Sequence, residues 1–265
     1  MRLVDTTAES LLAFWAEAGV DSILAEDPID RIAAGAMVVV RLPPPKVIAA
    51  PGTPASRTNE VSGQVGLAQS AAGACQTLTD LQKAVEAFEG CPLKFQSASP
   101  AIFTRGAPEA AILVVGDAPD PDDDLKGLPF SGKSGLFLDR MLASAGLSDR
   151  VLMTNSVFWH PPGGRNPTPE EQAVCLPFIE RAIDLVRPRI LLFLGAQSSK
   201  AMLKRNDGIL QLRAKWLEWR SSDGEIGLPA IVIPGLAFLL KNPDAKKMAW
   251  IDLLTLAERL DRPAR

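Results

Sequence analysis

The sequence has one histidine, three cysteines and no long uninterrupted apolar run, and each scarcity removes a class of reading. A membrane-spanning helix needs about 18 or more consecutive apolar residues, and none is present. The N-terminus lacks a basic stretch followed by an apolar one, so the chain reads as cytoplasmic. An odd set of cysteines (Cys75, Cys91 and Cys175) provides no disulfide framework and suits a reducing compartment. What remains, 47% hydrophobic and 22% charged residues in a chain of 265, is enough to build a sizeable globular core.

Charge is unevenly spread. Residues 188–250 carry ten Lys and Arg against five Asp and Glu, within a chain of net charge −3. A local basic excess of this kind permits contact with a polyanion, and equally fits solvated helix faces.

Taken in order, the chain divides at residues 40 and 77. Residues 1–40 contain one amphipathic stretch, Thr7–Ala18, with Thr7 or Ser10 as its cap and Trp15 on its packing side. Residues 41–77 are rich in Pro, Gly, Ser and Ala without periodicity, and read as a linker. From residue 78 apolar runs alternate with helical patterns. Strands are expected at Ala111–Val115, Val151–Asn155, Arg189–Leu194 and Ala230–Ile233. Helices are expected at Leu78–Phe88 (ended by a glycine C-cap at Glu89-Gly90), Gly135–Ala145, Pro169–Val186, Ala196–Lys204 and Asn242–Leu260. That alternation specifies a three-layer α/β/α sandwich on a four-stranded, mainly parallel sheet spanning residues 78–265.

The most informative stretch is Ala111–Gly135, where an apolar run opens into an acidic, glycine- and proline-punctuated loop and then a helix. Gly127–Ser134 satisfies the G-x4-G-K-S pattern of a phosphate-cradling loop. Such a loop must spring directly from a strand end. Here an acidic segment, with Asp117, Asp120 and Asp122–Asp124, separates it from Gly116 and repels phosphate. A nucleotide-binding protein dependent on Lys133 is therefore the lesser reading.

Several segments together carry a resemblance. Gly116-Asp117-Ala118-Pro119-Asp120 is followed by Asp122–Asp124 and by Gly127-Leu128-Pro129-Phe130-Ser131-Gly132-Lys133-Ser134-Gly135. Thr154-Asn155 precedes Pro161-Pro162-Gly163-Gly164-Arg165-Asn166-Pro167. Cys175-Leu176-Pro177-Phe178, Arg187-Pro188-Arg189-Ile190 and Leu239-Leu240-Lys241-Asn242-Pro243 follow in order. This series resembles the uracil-DNA glycosylase superfamily in its iron–sulfur branch, family four, over roughly residues 78–260.

The resemblance implies a DNA-repair enzyme that flips a deaminated base into a pocket and hydrolyses its N-glycosidic bond. Phe130 would stack on the base, and the Asn155 amide would donate to O4 of uracil and accept from N3–H, a pattern cytosine reverses. Asp117, where the family has Glu, would handle the attacking water, with the Gly116–Ala118 backbone lining the pocket. Lys133, Arg165 and Lys241 would contact DNA phosphates. A monomer acting on uracil-containing DNA is expected.

Two departures qualify this. The family's last motif carries a histidine that hydrogen-bonds the departing base, and Gly235 stands at that position. The sole histidine, His160, has no assigned replacement role. Loss of such a donor typically costs about 10²–10³ in rate. It motivates the rival reading of a protein on the same fold that binds DNA or a nucleobase without cleaving. Of the four cluster cysteines only Cys91 and Cys175 match, with Lys94 and Trp159 at the other two compared positions. Two thiolates do not hold the usual four-cysteine cluster, so no iron is expected.

Overall fold

The computed structural model describes residues 54–97 and 100–262, with side chains from Val61 onward. The Thr7–Ala18 helix, Trp15 and the first part of the expected linker lie outside them. Helix α1 spans Pro54–Gly73, α2 Leu78–Ala87 and α3 Pro92–Gln96. Strands β1 (Arg105–Gly106) and β2 (Ile112–Gly116) lead to helices α4 (Pro121–Lys126) and α5 (Lys133–Ser144). Then come β3 (Val151–Asn155), α6 (Pro169–Val186), β4 (Ile190–Leu194), α7 (Ala196–Leu203) and α8 (Ile209–Leu212). Strands β5 (Leu217–Arg220) and β6 (Gly227–Ile233) precede α9 (Leu236–Lys241) and α10 (Pro243–Asp261).

Among the described residues the sheet has six strands rather than four, in the order β1-β3-β2-β4-β6-β5. The four expected strands form its parallel centre, and β1 and β5 close the edges antiparallel. Both edges carry weak patterns: β1 is two residues long, and β5 is half exposed. The central strands are buried on both faces, as their continuous apolar runs require. Leu113, Val115, Leu191 and Phe193 pack into one core with residues of α1, α2 and α6. Ile112, Val114, Ile190 and Leu192 face the other way, into a second core with α5 and α10. Alternate residues of each strand thus feed opposite layers, giving the three-layer sandwich.

Two sequence expectations need correction. Residues 54–73, expected as linker, are helical, so the folded unit begins before Leu78. Val61, Val65, Ala68 and Ala72 recur at helical spacing and enter the core, while Gly63 and Gly66 between them face open space. Small and polar residues diluted that stripe. In addition, α2 ends on an extended Phe88, not on a left-handed glycine. Gly90 lies instead against the Phe88 ring and the Gln64 side chain, 2.4 Å from Phe88 Cζ and 2.3 Å from Gln64 Oε1 for an added Cβ.

Among the described residues, no helix is long and apolar enough to cross a membrane.

Candidate active site

The parallel strands run in the order β3-β2-β4-β6, so the chain leaves β2 toward one side and later returns on the other. Connections diverge at the β2/β4 boundary, and such a switch point opens a crevice at the strands' carboxyl ends. Register places Gly116 opposite both Asn155 and Leu194, and Leu194 opposite Ile233. A cavity of about 520 Å³ lies there, walled by Gly116, Asp117, Ala118, Phe130, Asn155 and Gly235. Six residues singled out from four separate sequence segments therefore meet in one place. Its remaining wall is largely apolar, including Leu194, Ile209 and Phe238.

Three of these residues fit together by exclusion of atoms. Gly116 ends β2, and a Cβ there would lie 2.4 Å from Asn155 Oδ1 and 2.6 Å from Phe130 Cζ. Only a glycine lets both side chains close over the strand end. Asn155 is 1% exposed, and among the described residues neither Oδ1 nor Nδ2 has a hydrogen-bond partner. An amide buried without partners carries a desolvation cost of about 1–3 kcal/mol per group, which a ligand presenting the complementary pair would relieve. The following residue is firmly held: Ser156 N–H donates to Gly116 O at 2.7 Å, its hydroxyl donates to Asp117 O, and Gln172 Nε2 donates to that hydroxyl at 2.8 Å.

Phe130 adopts φ +56°, a left-handed conformation that costs a non-glycine residue about 1–3 kcal/mol. Its backbone rests on α5, where a Cβ at Gly135 would lie 1.6 Å from Phe130 O. The loop between α4 and α5 is therefore built to hold one aromatic ring at the pocket wall.

Asp117 follows β2 and turns toward the start of α7. Ser198 donates to Asp117 Oδ1 through both its backbone N–H (2.7 Å) and its hydroxyl (2.8 Å). Burial pushes the Asp117 carboxyl above its ordinary range, partly countered by those donors and by the backbone of Gln197 and Ala196. Gly195 (φ +117°) makes the approach possible, since a Cβ there would lie 2.2 Å from Asp117 Oδ2. The arrangement gives a desolvated, oriented carboxylate with raised basicity at the pocket.

Position 235 is open by comparison. Among the described residues, a Cβ on Gly235 would meet Gly195 Cα alone, at 3.6 Å. His160 does not line the pocket; its Nδ1 pairs with Pro119 O at 2.8 Å, tying down the loop after Ala118.

The three expected phosphate contacts lie off the pocket wall. Lys133 opens α5 and Lys241 ends α9, both exposed. Arg165 is engaged in a two-pronged pair with Glu171, at 2.9 and 2.6 Å. Burial raises the Glu171 carboxyl, but Arg165 and Thr168 outweigh it and hold the group below the usual range. Arg165 thus braces the loop before α6 with a capping box completed by Thr168. The phosphate-loop pattern takes another geometry: Gly127 is the left-handed cap of α4, and that helix separates it from the strand.

The sequence reading missed Ser198 and Gly195. Their signal was a strand ending in glycine and opening a helix, Leu194-Gly195-Ala196, the same form that flagged Gly116.

A four-thiolate cluster does not fit the residues present. Cys91 and Cys175 lie with their sulfurs 4.0 Å apart, both buried. Lys94 extends to Glu86 O at 2.7 Å, and Trp159 is 2% exposed, edge-on to Phe158. Cys75 donates to Ala71 O. Among the described residues, no group of three or more His, Cys, Asp or Glu is placed to hold a metal ion.

Residues 103–254 match the family model described as the Uracil DNA glycosylase superfamily. A Type-4 uracil-DNA glycosylase of Sulfurisphaera tokodaii is 32% identical over 197 residues, covering 71% of this chain and 87% of the relative. One from Pyrobaculum aerophilum is 34% identical over 172 residues, covering 62% and 86%. One from Archaeoglobus fulgidus reaches 44% over 91 residues, covering 34% and 46%. With the match extending over more than half of its length, the chain belongs to the uracil DNA glycosylase superfamily.

Proposed function

We propose that the protein removes uracil from DNA by hydrolysing the N-glycosidic bond and leaves an abasic site. The observation that carries this reading is the Asn155 amide, without a partner among the described residues and buried at the wall of a strand-end pocket beside Phe130. A base inside a duplex is out of reach, so the nucleotide is flipped into the pocket. Phe130 stacks on the pyrimidine, while Asn155 Nδ2–H donates to O4 and Oδ1 accepts from N3–H. Cytosine presents a donor and an acceptor in the reverse order and leaves both amide groups opposed.

Asp117 orients and deprotonates the attacking water, aided by the basicity that burial confers. Gly235 offers no side-chain donor to the departing base, so the chemical step is slow by comparison with a site that has one. Lys133 and Lys241 meet the DNA backbone, and Arg165 contributes from its brace with Glu171. The protein works as a cytoplasmic monomer and carries no iron, with the buried Trp159 filling volume in the core that holds Cys91 and Cys175.

The openness at Gly235 also favours a second reading, a protein that captures the flipped base without cleaving it. Incubation with a uracil-containing oligonucleotide separates the two. Release of free uracil with an abasic strand supports hydrolysis; tight binding with no abasic product supports capture. Iron analysis of the same preparation should find none, and about four irons per chain with a brown colour would refute that part.

A further inference from the structure

The acidic run that argued against a phosphate loop has a specific place in the fold. Asp123, 3% exposed, lies in α4 and reaches across to the loop carrying Phe130. Its Oδ1 accepts from Ser131 N–H at 2.6 Å and lies 3.0 Å from the Ser131 hydroxyl. That hydroxyl has one proton and shares it between Asp123 and Asp122 O, 3.1 Å away. Lys126 Nζ donates to Ser131 O at 2.8 Å, so α4 grips both ends of one peptide residue. Asp123 Oδ2 accepts from Asp120 N–H at 3.2 Å, which fixes the carboxylate's own orientation.

Ser131 directly follows Phe130, the residue held at φ +56°. An L side chain leaves that region readily unless its neighbours define it. Gly135 bounds Phe130 from the α5 side. The buried carboxylate supplies the opposing hold through charge-assisted bonds to the next amide. We propose that Asp123 is a positioning residue for base recognition, fixing Phe130 over the pocket through Ser131. The inference rests on the uracil-excision reading for its kinetic consequence, and on the geometry alone for its structural one.

Asp123 also completes the cap of α4, so a loss of stability by itself would not distinguish the two roles. A double-variant cycle does. Asp123→Ala should lower kcat/KM for uracil release about tenfold to a hundredfold, the scale of a displaced recognition group. Phe130→Ala should lower it as much or more, and the double variant should be no worse than Phe130→Ala. Asp123→Asn keeps one oxygen able to accept from Ser131 N–H, and should recover part of the loss; it replaces Asp123→Ala in the cycle if the latter does not fold.

Amide exchange at Ser131 and the Phe130 ring resonances, followed by NMR, report on the clamp without turnover. Ser131 N–H should be protected in the native protein and exchange rapidly in Asp123→Ala, with the Phe130 ring shifted. Multiplicative losses in the cycle, or an unchanged Ser131 amide and Phe130 ring, would overturn the proposal. A native protein that releases no uracil would instead overturn the excision reading, leaving the exchange result to decide the clamp.

Discussion

Gly135 lies so tightly under Phe130 that a single added carbon on it would stand 1.6 Å from the Phe130 carbonyl oxygen. The first turn of α5 and the left-handed Phe130 backbone are therefore one unit. No flexible side chain is available to give way, because the opposing atoms are backbone. Gly135→Ala should cost about 1–3 kcal/mol as overpacking strain. It should also reduce uracil release roughly a hundredfold through displacement of the ring. Urea unfolding and single-turnover kinetics check both. An alanine variant with native stability and rate would show that the contact is looser than described.

Gly235 presents the opposite situation. Its nearest non-neighbouring heavy atom to an added Cβ is Gly195 Cα at 3.6 Å, an ordinary contact, and its φ of −58° suits any residue. Gly235→His should fold normally and place a donor at the pocket. A donor to a developing oxyanion is worth about 10²–10³ in rate. The variant should gain toward that range in kcat with little change in KM. A variant that folds and shows no gain would mean that another group already serves the departing base.

Asp117 governs the pH dependence. Its carboxyl is raised by burial, so the native state holds the proton more tightly than the unfolded chain. The resulting stability is fully present below the unfolded value of about 3.9 and is lost as pH rises through the native value. Asp117→Asn abolishes that loss. Relative to the variant, the native protein should therefore become less stable as pH climbs through this window. Activity runs the other way: uracil release should rise as Asp117 ionises, with a midpoint above the ordinary aspartate value. Asp117→Asn should depress it at all pH values. Paired urea titrations and a pH–rate profile test the two signs together.

The parallel core of the sheet was legible because β2, β3 and β4 are short apolar runs bounded by turn residues, a pattern buried strands need. Edge strands β1 and β5 were not, since edges satisfy fewer apolar contacts and show little periodicity. Helix α1 carries a weak sequence signal because its packing stripe of Val and Ala is interrupted by glycines that face outward. Within the site, Gly116, Phe130 and Asn155 were legible from motif order, and the structure brings them together with Asp117 and Gly235. The pairings that orient them were not. Asp117 meets Ser198 across 81 positions of sequence, and Asp123 meets Ser131 through a turn whose direction only the fold sets. Charge alone likewise left out the pairing of Arg165, whose guanidinium meets the buried Glu171.

Base choice by Asn155 is the centre of the account, and Asn155→Asp is its most direct test. A carboxylate accepts but does not donate, so the variant loses the hydrogen bond to uracil O4 and gains an acceptor for the cytosine amino group. Single-turnover release of base should be measured for the native protein and Asn155→Asp on otherwise identical uracil- and cytosine-containing strands. The native protein should release uracil and leave cytosine, and the variant should lose about 10² or more of that preference. A variant that releases uracil at the native rate, with cytosine still untouched, would contradict the assignment of Asn155 as the base-reading residue.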